Sequence, residues 1–222
     1  MRQIRHPRGR WSMTSPRRVG AVTSKTRALL LDCAENLMLE QGYAAVTYRG
    51  VAAQAEVTAG LVQYYFPTLE DLLVALVRRG IEHNIARLAT SLETSPPLRA
   101  VWEHAGDRTR AALMAEFMAL ANHHKTIRAE LAKAGEQARE LALAAVSERS
   151  GDYGRPAGTA PPEALIFLMI STPRMIAMEE TIGLSTFHAE TIEFIERYLD
   201  EVEPRAADSD RAPKTAPATM RE

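Results

Sequence analysis

Apolar residues in this chain recur at three- and four-residue intervals, and no long stretch alternates strictly between apolar and polar. That is the period of helices rather than strands. Leu30, Cys33, Ala34, Leu37 and Met38 form one such stripe. The spacing predicts a first helix from Ser24, as N-cap, to about Gln41, with Gly42 stopping it as a C′ glycine. Two very short helices follow, over about Tyr48–Ala55 and Ala59–Tyr65. Thr47 and Thr58 stand just before them, where a hydroxyl can accept from free backbone N–H groups. Phe66-Pro67 ends the second. Thr68 then caps a fourth helix, with Glu70 and Asp71 in its first turn, where carboxylates meet the positive end of the helix dipole. Its broad apolar face of Leu72, Leu73, Leu76, Val77 and Ile81 carries it to about Leu92. Gly80 lies inside this helix at a cost in propensity, and the pattern offers no reason for it.

Breakers organise the remainder. Ser95-Pro96-Pro97 marks a loop, a helix begins near Leu98, and longer ones cover about Asp107–Asn122 and Thr126–Glu148. Residues 151–162, half glycine and proline, read as a flexible loop. A helix over about Pro162–Thr181 contains Pro173, which removes one backbone bond and should bend it near Met169 and Ile170. A last helix spans about Phe187–Val202. The expected architecture is all-α with about nine helices. Residues 1–23 form a basic arm, 24–70 a small N-terminal domain of three helices, 71–203 a C-terminal bundle and 204–222 a disordered tail.

The segment Thr47–Phe66 has the form of a helix-turn-helix. Val51, Ala52, Ala55, Val57, Val62 and Tyr65 fall where such a unit buries its inner face. Thr58, Ala59, Gly60, Gln63 and Tyr64 then point outward, and a short exposed helix fits the major groove of B-DNA. The turn carries Glu56 where glycine is usual, because the chain reversal there favours φ > 0; glutamate adopts that region at roughly 1 kcal/mol.

Charge adds to this picture. Met1 to Arg27 holds eight Lys and Arg and no acid, so the rest of the chain carries 19 basic against 28 acidic residues. A near-neutral total thus conceals a basic segment beside the candidate DNA-reading unit, the asymmetry of a phosphate binder. Within it, Lys25 and Arg27 lie on the first ordered turn.

Other classes find little support. Val19-Gly20-Ala21-Val22 is too short for the apolar core of a secretory signal. The longest dense apolar run, Leu165 to Ile170, is six residues, far below the roughly 18 that span a bilayer. The single cysteine, Cys33, excludes an intrachain disulfide. A cytoplasmic protein is expected. There is no Gly-rich phosphate loop, no metal-spaced carboxylate set and no nucleophile with a placed base, so neither an enzyme nor a bound cofactor or metal is expected. His123 and His124 diverge by about 100° on a helix, which is unsuited to one metal ion.

From Lys25 to Leu76 the residues resemble the DNA-binding domain of TetR-family transcriptional repressors. The shared elements are Gln41-Gly42-Tyr43, Thr47, Val51-Ala52, Val57-Thr58, Gly60, Tyr65-Phe66-Pro67 and Glu70-Leu72-Leu73. The resemblance implies a homodimer that puts Thr58–Tyr65 of each protomer into the major groove of a near-palindromic operator. Carried over by position, Thr47 and Tyr65 look like backbone anchors. Tyr48, Arg49 and Tyr64 are candidates for phosphates or base edges, and Thr58, Ala59 and Gly60 lie closest to the groove. Gln63 suits adenine recognition or a phosphate contact. Leu69 departs from the family's usual phosphate-binding lysine, and Gln63 from its frequent tyrosine. A basic arm reaching the adjacent minor groove is the compensation this chain offers.

The resemblance also implies a small-molecule effector pocket among the middle helices and a dimer interface made by the last two. Trp102, Leu113, Met114, Phe117, Met118, Phe167 and Met169 are the candidate lining, with Arg174 and His123 as a polar end. Methionines adapt to varied apolar shapes, which suits an apolar effector, although ordinary core shows the same stripe. A DNA-binding protein that answers to no ligand is the alternative left open.

Overall fold

The computed structural model describes residues 24–149 and 160–204. Residues 1–23, 150–159 and 205–222, which hold the basic arm, most of the 151–162 loop and nearly all of the tail, lie outside the described residues. Nine helices and one 3-10 turn make up the described chain, without a strand. They are α1 (Lys25–Gln41), the 3-10 turn Tyr43–Ala45, α2 (Tyr48–Gln54), α3 (Ala59–Tyr65), α4 (Leu69–Thr94), α5 (Pro97–Ala105), α6 (Arg108–Ala121), α7 (Lys125–Arg149), α8 (Pro162–Thr181) and α9 (His188–Val202). Pro173 is accommodated inside α8, which continues through it.

Local chemistry accounts for most boundaries. Gly42 has φ 80° and closes α1 with its N–H on the Met38 carbonyl. Thr47 and Thr58 accept from the Gly50 and Leu61 N–H groups at 3.0 and 3.3 Å. Thr68 and Asp71 form a reciprocal capping box. Ser24 sits at the N-cap of α1 but does not cap with its side chain; its hydroxyl lies 3.1 Å from the Tyr65 phenol instead. Glu56 takes the left-handed conformation, φ 54°, that the reversal between α2 and α3 requires.

Two cores form, and α4 enters both. The first unites Leu30, Met38, Val51, Val62, Phe66, Leu72 and Leu76 with Phe117 and Leu120 of α6 and Ile127 of α7. Residues of α6 and α7 thus share this core with the N-terminal helices. The second gathers Leu88 of α4 with Val101 and Trp102 of α5, Val146 of α7, Ile166 and Met169 of α8, and Ile195 and Leu199 of α9.

Three successive residues fix α4 where it leaves the first core. Successive helical residues diverge by about 100°, so Arg78, Arg79 and Gly80 face three different neighbours. Arg78 pairs with Glu130 of α7 at 2.5 Å. Arg79 reaches Asp32 and Glu35 of α1 at 2.6 and 2.8 Å. Gly80 meets the Phe117 ring so closely that a Cβ there would lie 2.6 Å from it. This is the reason for the glycine. Glu116, the residue before Phe117, accepts the Tyr43 N–H at 2.6 Å and ties α6 to the turn after α1.

At the far end, the buried Glu203 carboxylate accepts from the Leu98 and Arg99 N–H groups, both at 2.8 Å, and so caps α5. Arg99 pairs with Glu196 and Asp200, and the Trp102 indole donates to Glu196 at 2.7 Å. Between α4 and α5, His104 Nε2 lies 3.0 Å from Asn84 Oδ1. Burial, chiefly, and the charges of Arg110, Arg87 and Arg174 pull its pKa down to about 4, opposed by Asp107.

Two predictions follow from this packing. Propensity alone says that Gly80→Ala should gain about 1 kcal/mol. The ring contact predicts the opposite, a net loss from overpacking of about 1–3 kcal/mol. Gly135→Ala on α7, where a Cβ meets only the tip of Arg139 at 3.4 Å, should gain stability; urea unfolding of both variants checks the pair. The second concerns pH. The unfolded chain takes up a proton on His104 near its ordinary value of 6.5, whereas the folded chain waits until about 4. Stability should therefore fall as pH drops through that window, and His104→Gln should flatten the fall measured by thermal unfolding.

Candidate nucleic-acid interface

Helices α2 and α3 present one outward surface. Gly60, Gln63 and Tyr64 stand on it at helical spacing, all exposed, with Thr58 at the leading edge and Ala59 half-buried against the first core. Arg49 of α2, Thr47 and Lys25 of α1 are also exposed. Tyr64 meets Tyr65 edge to face, with centroids 5.3 Å apart.

The other candidates are committed inside the fold. Tyr48 donates its O–H to the Phe66 carbonyl at 2.9 Å, so this phenol joins α2 to the end of α3 in place of reaching outward. Burial, with Asp71 nearby, raises its pKa. The Tyr65 phenol is paired with Ser24, and hydrogen bonds from Ser24 and Thr26 hold its pKa below the usual tyrosine value. The Arg27 guanidinium lies over the Phe66 ring at 4.9 Å; burial and the Arg79 charge lower its pKa. Leu69 is exposed at the start of α4.

Glycines separate fold from function here. A Cβ at Gly50 would lie 2.7 Å from the Ala45 carbonyl and 2.9 Å from Leu37, so α2 can pack on α1 only without a side chain at that position. In the sequence, the signal for this position is a glycine inside a seven-residue helix. Gly60 differs: a Cβ there meets only Thr58 Oγ1, at 4.0 Å. Among the described residues, nothing requires glycine at 60.

Behind this unit, a cavity of about 440 Å³ opens between α4, α6, α7 and α8. Of the seven candidate lining residues, Met114 and Met118 border it, and so does Arg174. Trp102 and Met169 are buried in the second core, and Phe117 in the first. Leu113 and Phe117 border a hollow of about 100 Å³ on the α1 side of α6. Phe167 is 53% exposed, its ring 5.9 Å from the Arg139 guanidinium. His123 is exposed and outside the lining. Ile81, Ile85 and Leu131 complete the apolar wall together with Arg128 and Arg139. The sequence concealed them because an inward helix stripe looks the same whether it meets a neighbour or a void.

Residues 30–76 match the family model for bacterial regulatory proteins of the tetR family. Over 111 residues the chain is 27% identical to the HTH-type transcriptional repressor KstR2 of Mycobacterium tuberculosis, covering 50% of this chain and 52% of that protein. It is 38% identical over 71 residues to an uncharacterized HTH-type transcriptional regulator of Xanthobacter autotrophicus, covering 32% of this chain and 33% of that protein. The chain thus spans about half the length, or less, of these curated relatives. In fold it is similar to a TetR transcription regulator from Haloarcula marismortui, with TM-score 0.64, 16% identity, and 80% and 97% of the two chains covered. Among the described residues no helix is long and apolar enough to cross a membrane. The helix-turn-helix, the capped start of α4 and the family match fall on the same residues, and the segment 30–76 is of the tetR family of bacterial regulatory proteins.

Proposed function

We propose that this chain is a homodimeric repressor that binds a near-palindromic operator through α3 and is released by a small, mostly apolar effector in the α4–α6–α7–α8 cavity. The observation that carries the DNA-binding face is the outward Gly60–Gln63–Tyr64 surface, with a glycine that the fold itself does not need. Gln63 reads a base or holds a phosphate, Arg49 and Lys25 meet phosphates, and Thr47, Tyr48 and Tyr65 hold the unit rigid behind them. The similarity to the repressor KstR2 supports the regulatory sense.

Dimerisation is supported by the surface of α8 and α9. Ile182, Phe187 and Phe194 are 78%, 73% and 63% exposed, and Leu168, Met175 and Met178 extend the same apolar character along α8. Side chains of this size cluster on a surface where a partner covers them. Two half-sites on one duplex then fix the spacing that the two α3 helices must match. In this scheme a ligand between α4 and α6 moves α4, and the spacing changes with it.

Gly60→Ala should fold at least as stably as the parent, since Ala is the better helix former, yet bind an operator duplex about tenfold or more weakly. Gly50→Ala should lower the melting temperature. Footprinting the DNA upstream of the encoding gene supplies the duplex, and fluorescence anisotropy reads the affinity. Parental affinity in Gly60→Ala would remove α3 from the groove. Ile182→Asp with Phe194→Asp should give monomers in sedimentation velocity and lose most operator affinity. A dimer that persists in that double variant places the interface elsewhere. Operator release by lipophilic metabolites that also raise the melting temperature supports the effector; DNA binding indifferent to every ligand favours the ligand-independent alternative.

A further inference from the structure

The cavity has an unusual charge. Its wall is mostly apolar, yet it includes three arginines, Arg128, Arg139 and Arg174, and no carboxylate. Elsewhere in the fold, three enclosed arginines are answered by carboxylates: Arg79 by Asp32 and Glu35, Arg99 by Glu196 and Asp200, Arg110 by Asp107. Two of the three cavity arginines are also occupied. Arg128 donates to the Ala121 and Asn122 carbonyls at 3.1 and 3.2 Å, and Arg139 lies over Phe167. Arg174 makes no hydrogen bond or ion pair with the described residues. Burial, and then the Arg139 charge, depress its pKa, so its charge is poorly compensated where it stands. This half-buried guanidinium thus offers its donors to the cavity without an acceptor among the described residues.

We propose that the effector is an apolar molecule bearing a single carboxylate, its acid group seated on Arg174 and its body among Ile81, Ile85, Met114, Met118 and Leu131. This rests on the cavity being the effector site. An arginine fork matches the two carboxylate oxygens, and Asn84, also on the wall, can donate from its amide. With Arg128 bonded to backbone carbonyls and Arg139 stacked on a ring, Arg174 is the cavity guanidinium whose donors are open to a carboxylate. Methionines then adapt the apolar end to chain or ring.

Isothermal titration calorimetry of the full chain, with decanoate and 4-phenylbutyrate each compared with its primary amide, tests this. The acids should bind about tenfold or more tightly than their amides, as a charge-assisted pair requires. Arg174→Gln should abolish the preference without lowering the melting temperature, because the side chain has no partner to lose. Met118→Trp, which fills the cavity, should block the acids. Equal affinity of acid and amide in the parent overturns the carboxylate, as does a preference that survives in Arg174→Gln. Amides that bind well and are blocked by Met118→Trp would leave the effector cavity standing while removing the acid. No binding by any of the four compounds removes both.

Discussion

The Phe117 ring rests directly on the backbone of α4 at Gly80, and this contact fixes how the two halves of the molecule meet. A buried ring against a bare helix backbone has no slack, because interiors are packed at crystal density and one methyl group is felt. Phe117 belongs to the first core, with the helix-turn-helix, yet it stands on α6, whose Met114 and Met118 face the cavity. One helix therefore carries both surfaces, three residues apart on one side and adjacent on the other. Any rotation of α6 that widens or fills the cavity turns the ring that seats α4.

Polar contacts around this joint set orientation more than stability. The Arg78–Glu130 pair is exposed and worth about 0–1 kcal/mol. Arg79 counts for more because its guanidinium is largely enclosed and serves two carboxylates of α1, Asp32 and Glu35. Glu116 accepts a backbone N–H just after α1, so the α6 anchor grips the first domain by its main chain. Glu203 does the same at the opposite end, holding two N–H groups of α5. Packing decides which elements touch, and these directional bonds decide in what register.

What could be read in the sequence was local. Thr47, Thr58 and Thr68 cap the helices they precede because capping involves residues two or three positions away. Glu56 adopts the positive φ demanded by its own turn. What escaped was distant in sequence. Gly80 answers to Phe117, and Gly50 to the Ala45 carbonyl and Leu37, so neither glycine has a reason visible on its own helix. Ser24 has an N-cap position but turns its hydroxyl to Tyr65, 41 residues on. Trp102 belongs to a methionine and aromatic stripe that resembled a pocket wall, yet its indole N–H is taken by Glu196 and its ring by core. Periodicity reports which face is inward; it does not tell a neighbouring helix from an empty space.

The position of the cavity along α4 bears on how the proposed regulation would work. Ile81, Asn84 and Ile85 border the cavity, and Ile81 directly follows Gly80. Ligand contact and the joint thus lie within one helical turn, and no long relay through the bundle is needed to connect them. A ligand shifts such an equilibrium only by its difference in affinity for the two arrangements, about 1.4 kcal/mol for each factor of ten. Apolar contacts adapt to both arrangements, because methionine side chains follow the ligand, so they discriminate weakly. A guanidinium–carboxylate pair depends on direction and distance and loses strength when α8 and α4 separate. In the proposed scheme, then, the apolar wall supplies affinity, while Arg174, on α8 across from α4, supplies the difference in affinity that moves α3.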